Sequence, residues 1–227
     1  MHTFNPPLLK LDKEEARRYA GLKTAESFPE RLLETACSEA LLLARPQAVW
    51  NLYPYTANNG TVAGRPALRL TGEKIRSHLA GAEEVTVLAV TIGPALEEEA
   101  SRLFAAGQYT AGLLLDAAGT AAVEQTADAV NAHIAAQAAR RGLAARTRFS
   151  PGYGDWPITD QPAMIALAGG RMISLSVTDS CMLVPRKSIT AIIGLVPAAG
   201  RDGAACPKAG CASCRQIDCI ARKELPQ

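Results

Sequence analysis

Thr110 to Arg141, TAGLLLDAAGTAAVEQTADAVNAHIAAQAARR, holds twelve alanines in thirty-two residues and no proline. Alanine carries the highest helix propensity and costs no side-chain entropy, so this run is predicted as one long helix. Its many small residues allow close packing against other elements, as on a largely buried helix. The rest of the chain must therefore wrap a central, largely buried rod, with a bend expected near Gly119. Asp116, Glu124 and Asp128 fall eight and then four residues apart, roughly along one face. Such a stripe is either the solvated side of the rod or has one or two members facing a cationic ligand.

Shorter elements surround this rod. In LDKEEARRYAG, Asp12 stands as N-cap with Glu15 three residues on, and Gly21 closes the turn. A second helix is expected from Pro29 to Leu43, where leucine and alanine recur at three- and four-residue steps before Pro46. Ala48 to Tyr55 and Ala67 to Leu70 read as strands about the polar loop TANNGTVAGRP, with a short helix from Glu73 to Leu79. Glu83 to Gly93, EEVTVLAVTIG, has the β-branched content and length of a buried strand. Pro94 then opens a helix that Gly107 ends. ITDQPAMIALAGG suggests one more short helix, and MISLSVTDSCMLVP and SITAIIGLV two strands joined as a hairpin around Pro185 to Lys187. Strands early and late with helices between indicate an α+β fold, a mainly antiparallel twisted sheet with long packed helices. Its expected extent is residues 1–197, with a Cys-rich metal-binding tail at 198–227 after the linker PAAGRDGAA.

A formal charge of +2 gives no footprint for nucleic acid or an anionic membrane. No apolar run reaches membrane-spanning length, and the start lacks a basic-then-apolar signal pattern, so a cytoplasmic protein is expected.

The segment RFSPGYGDWP, Arg148 to Pro157, packs two prolines, two glycines and three aromatics into ten residues. Proline fixes φ and glycine admits turns closed to other residues, so this backbone is expected to be stiff. Arg148 offers a forked donor suited to a carboxylate, and Tyr153 and Trp156 offer flat amphipathic faces. It is either a surface turn with a packed aromatic or a ligand grip. Neither GxxxxGK[ST] nor GxGxxG occurs, and none of the three histidines stands in an HExxH pattern, which argues against the usual phosphate cradles and against a zinc protease. The missing glycine-rich turn likewise disfavours an ordinary small-molecule methyltransferase of Rossmann type.

Cys206, Cys211, Cys214 and Cys219 are spaced C-x4-C-x2-C-x4-C. Four thiolates this close can surround one soft metal centre, and in a cytoplasmic chain such a cluster points to metal rather than disulfides. The spacing leaves an iron–sulfur cluster and an all-thiolate zinc site both open. Cys37 and Cys181 stand alone and are expected as small buried hydrophobes.

RFSPGYGDWP, followed by ISLSVTDSCMLVPRKSITAIIGL at Ile173 to Leu195, resembles the activation (S-adenosylmethionine-binding) domain of cobalamin-dependent methionine synthase, in a freestanding single-domain form. The family's R-x-x-x-G-Y segment has its counterpart in Arg148, Gly152 and Tyr153. Its second motif has counterparts in Thr178, Asp179, Ser180, Pro185 and Ser188. Met182 falls one place early, Ala191 replaces a glycine, and Asp179 replaces the usual glutamate. The resemblance covers roughly residues 10 to 195.

It implies that Arg148, Phe149, Ser150, Gly152, Tyr153, Asp179 and Ser180 line a site for S-adenosylmethionine, with Glu124, Asp128 and Asp155 as carboxylates near its ammonium or ribose. It implies no catalytic side chain of the chain's own, but an accessory role in the reductive methylation of a stalled corrinoid. With no D-x-H-x-x-G motif present, cobalamin would be carried by a partner, a methionine synthase or related methyltransferase lacking its own activation domain. The family's domain has no cysteine tail, so an iron–sulfur cluster there could take over the work of a separate electron donor. The alternative is a small iron–sulfur electron-transfer or metal-binding protein that acts through its four cysteines.

Overall fold

A computed structural model describes residues 1–198 except 23, 24 and 26. The cysteine quartet lies outside the described residues. Among the described residues nine strands and six α-helices follow one another: β1 (His2–Phe4), α1 (Lys13–Tyr19), α2 (Glu30–Leu43), β2 (Gln47–Thr56), β3 (Thr61–Val62), β4 (Leu68–Arg69), α3 (Glu73–His78) and β5 (Glu84–Thr91). Then come α4 (Ala95–Ala105), α5 (Tyr109–Ala139), β6 (Leu143–Ala145), α6 (Gln161–Ala168), β7 (Ser176–Val177), β8 (Leu183–Val184) and β9 (Ser188–Pro197).

The main sheet has the order β4-β3-β2-β5-β9-β6, with β1 also on β2, and every pairing is antiparallel. β5 lies at its centre between β2 and β9 and is buried along nearly its whole length. Successive side chains point to opposite faces. Val85, Val87 and Ala89 join one core with Ile75 of α3, Leu79 at its C-cap, Trp156, and Met164, Ile165 and Leu167 of α6. Leu88 and Val90 join another with Trp50, Ala191 and Ile193, against Ala127, Val130 and Ile134 of α5. Both faces of β5 are thus covered, which is why apolar residues stand at consecutive positions from Val87 to Val90 rather than in alternation.

α5 spans 31 residues, about 46 Å at the usual rise. Its C-terminal half lies on the sheet, while its N-terminal half is enclosed by α1, α2 and α4 around Leu33, Ala36, Leu96, Ala100, Leu115 and Ala118. Burial on two successive sides accounts for the small and apolar residues that run along most of the helix. The helix is continuous through Gly119, where a β-carbon would stand 2.4 Å from Leu96 Cδ2 of α4. Glycine is there for close approach.

The expected α+β class and antiparallel sheet are found, and Asp12 caps α1 by accepting from the amides of Glu14 and Glu15 at 3.0 and 3.2 Å. The late hairpin differs from expectation. β7 and β8 pair with each other in a separate two-stranded sheet, while β9 enters the main sheet between β5 and β6. Left-handed backbone at Ser174 (φ 57°) and Cys181 (φ 63°) breaks the extended run on either side of β7, and Thr178 Oγ1 takes up the amide of Met182 at 3.1 Å to close the turn. β1, β3 and β6, each two or three residues long, were not expected from the sequence. Cys37 is buried and Cys181 only partly so.

Candidate functional site

The stiff segment follows β6 and is held by backbone pairing. The amide of Phe149 donates to Ile192 O at 2.9 Å, and Ile192 donates back to Phe149 O at 2.8 Å. Arg146 N–H reaches Gly194 O at 2.9 Å, and His78 of α3 holds Thr147 O at 2.7 Å through its Nε2. Beyond Phe149 the chain folds back on itself. Gly152 donates to Trp156 O at 2.9 Å, Tyr153 to Ser150 O at 3.2 Å and Trp156 to Tyr153 O at 3.0 Å. Gly152 (φ 88°) and Gly154 (φ 61°) occupy the left-handed region that these turns require. Trp156 is 1% exposed, with its indole N–H on Asp160 Oδ2 at 2.7 Å.

Alternation along this segment sends neighbouring side chains to opposite faces. Phe149 packs into the core below, its ring centroid 5.3 Å from His78, 6.2 Å from Trp156 and 6.3 Å from Tyr153. Arg148 turns to α5, where Nη2 lies 2.5 Å from Glu124 Oε2 and Nη1 binds Asp128 Oδ1. Two members of the acidic stripe therefore face the chain's own arginine. The third, Asp116, holds Lys187 Nζ at 2.9 Å, and Thr120 accepts from the same ammonium at 2.8 Å.

Desolvation works against the charge of Arg148, but the hydrogen bond and charge of Asp128 and the charge of Glu124 outweigh it and raise the guanidinium pKa. The Tyr153 hydroxyl is pushed up by desolvation, then by Glu124, against the opposing pull of Arg148. Its ring is nonetheless 60% exposed and forms a free flat face beside the ion cluster. Tyr19 of α1, with Arg18 stacked 4.1 Å from its ring centroid, is also raised by desolvation and by Glu124. Nothing in the sequence points to Tyr19 here, since its proximity depends on α1 packing along α5. One positive and two negative side chains leave the Arg148 cluster at a formal −1.

The other expected site residues are placed elsewhere. Asp155 is engaged by α3, accepting from the amides of Glu73 at 2.8 Å and Lys74 at 3.1 Å. Asp179 and Ser180 sit in the turn between β7 and β8, where Ser180 Oγ and Thr178 Oγ1 are 2.9 Å apart. Among the described residues no hydrogen bond joins them to 148–153. Nor, among the described residues, do three histidine, cysteine or carboxylate side chains gather as a metal site. No helix of the described residues is long and apolar enough to cross a membrane.

The fold is that of a reactivation domain. A crystal structure of the MetH reactivation domain bound to AdoHcy superposes with a TM-score of 0.60 at 14% sequence identity, over 86% of this chain and 82% of that one. No family model and no curated protein matches the sequence.

Proposed function

We propose that this chain binds S-adenosylmethionine and serves as a reactivation subunit for a separate corrinoid-dependent methionine synthase or related methyltransferase. The observation that carries the reading is the Arg148–Tyr153 segment: a forked cation and an exposed aromatic face, fixed by backbone pairing to β9, in the fold of a domain solved with AdoHcy. S-adenosylmethionine carries one carboxylate, one ammonium and one sulfonium, a formal +1. A cluster of formal −1 complements that charge, and Arg148 matches the carboxylate in geometry. Phe149, Ser150 and Gly152 shape the floor of the grip, and Asp179 and Ser180 are assigned to a second edge formed on ligand or partner binding. When bound, the sulfonium supplies an electrophilic methyl group. The chain's own residues hold and orient it, and the corrinoid arrives on the partner.

Titration calorimetry with S-adenosylmethionine tests the reading. Binding to the wild type that Arg148→Ala abolishes and Tyr153→Phe weakens is the expected result, and no binding at any redox poise overturns it.

Cys206, Cys211, Cys214 and Cys219 enter this reading as the ligands of an iron–sulfur cluster that relays the reducing electron to the partner's cobalt. Their spacing also favours the second reading, a metal-binding or electron-transfer protein whose body is scaffold. Anaerobic purification decides between cluster and zinc: a visible chromophore is expected, and a colourless zinc-loaded protein rules the relay out.

A further inference from the structure

The chain that carries Arg148 gains one residue on its partner strand. β6 runs in register with β9 from Leu143 opposite Pro197 to Ala145 opposite Leu195, and Arg146 continues it by donating to Gly194 O at 2.9 Å. The next bridge joins Phe149 to Ile192. Two residues, Thr147 and Arg148, therefore stand opposite the single residue Ile193, which makes a β-bulge. That bulge decides where Arg148 points. Without the extra residue Arg148 would lie opposite Ile192, whose side chain belongs to the core under α3 and α6. With it, Phe149 takes that place in the core, and Arg148 turns to the α5 face, where Glu124 and Asp128 meet it.

A bulge leaves backbone groups without ladder partners. Among the described residues no backbone amide donates to Thr147 O. His78, the last residue of α3, does so through Nε2 at 2.7 Å, and its ring lies 5.3 Å from that of Phe149. A carbonyl only accepts, so Nε2 carries the proton. Just beyond the same helix end, Ala80 O accepts from Arg146 Nη2 at 2.8 Å. The end of α3 thus grips the bulge at 146, 147 and 149. Resting on the reading that the carboxylate of S-adenosylmethionine comes to Arg148, we infer that His78 is a positioning residue for that site. It touches no ligand and acts through Thr147 O, holding the bulge so that binding does not have to order it.

His78→Leu keeps an apolar side chain against Phe149 and removes the donor, while His78→Gln keeps a donor. Calorimetry with S-adenosylmethionine is run at a temperature where thermal melts show every variant folded. His78→Leu is expected to weaken binding about 2- to 10-fold, the range of one neutral hydrogen bond, with His78→Gln restoring most of the loss. Exchange of the Phe149 amide, followed by NMR, should quicken in the leucine variant and stay near wild type in the glutamine one. His78→Asn, one methylene shorter than glutamine, stands in if the leucine variant does not fold. Affinity unmoved in both variants, equal losses in both, or weaker binding without faster exchange at Phe149 overturns the assignment and leaves the functional reading standing. A wild type that does not bind S-adenosylmethionine sinks that reading and this assignment with it.

Discussion

Asp155 caps a helix to which it does not belong. Its carboxylate accepts from the amides of Glu73 at 2.8 Å and Lys74 at 3.1 Å, across some eighty residues of sequence. Gly72, at the N-cap, has no side chain to do this, and a β-carbon there would meet Asp155 Oδ1 at 2.7 Å. The same contact ties α3 to the Arg148–Trp156 segment. Asp155→Ala is expected to cost about 1 kcal/mol, as for other lost N-cap acids, measured by urea unfolding. Asp155→Asn, which keeps the acceptor, should recover most of it. Equal losses in both variants would show that charge rather than capping geometry matters.

Gly119 and Leu96 form a tight junction between α5 and α4. An added methyl at Gly119 meets Leu96 Cδ2 at 2.4 Å in a fully buried setting, and overpacking of this kind costs about 1–3 kcal/mol. Alanine would gain about 1 kcal/mol of helix propensity, so the net effect of Gly119→Ala is a modest loss. In a Leu96→Ala background the clash is gone, and the same change should become stabilising. A double-mutant cycle by chemical denaturation reads the reversal; additive effects would contradict the packing argument.

How far the sequence discloses this molecule depends on whether a feature is local. β5 is readable because burial on both faces leaves β-branched and apolar residues at consecutive positions, and α5 because its alanine-rich run favours a helix. Asp12 as a cap and the stiffness of 148–157 rest on residues within a few places of one another. The ion pairs of Arg148 and Lys187 join residues 20 or more positions apart, so the acidic stripe alone could not say which cations it faced. The β7–β8 hairpin is hidden in the sequence because its strands are two residues each, too short for a period to register. Of the candidate site, the arginine and tyrosine stand out in the sequence, whereas the nearness of Tyr19 and the acids already on Arg148 do not.

His78 couples the segment to pH. Desolvation lowers its pKa, the backbone bond to Thr147 opposes that, and the charge of Arg146 reinforces it. A histidine whose folded pKa is depressed favours the neutral form on folding. Its contribution is fully present above the unfolded value, near 6.5, and is lost as the pH falls through the lower folded one. Urea midpoints at pH 7.5 and 5.5 should therefore fall further for the wild type than for His78→Gln. An identical fall in both would assign the pH dependence to other groups.

Thr190 and Gln161 make a buried polar pair at the middle of the fold, the hydroxyl of β9 donating to the side-chain carbonyl at the start of α6. Both side chains are almost wholly enclosed, at 1% and 6% exposure, so removing either partner strands the other without water. Thr190→Val and Gln161→Leu should each cost about 1–3 kcal/mol, the penalty for a buried unpaired group. With both changed, no polar atom of the pair is left to desolvate, and the double variant should lose clearly less than the two singles combined. Because Thr190 lies two residues before Ile192, which pairs with Phe149, the single variants should also weaken S-adenosylmethionine binding through the position of the Arg148 segment. Stability by urea and affinity by calorimetry on the same three variants test both halves; fully additive losses, with affinity unmoved, would show that the two side chains act independently.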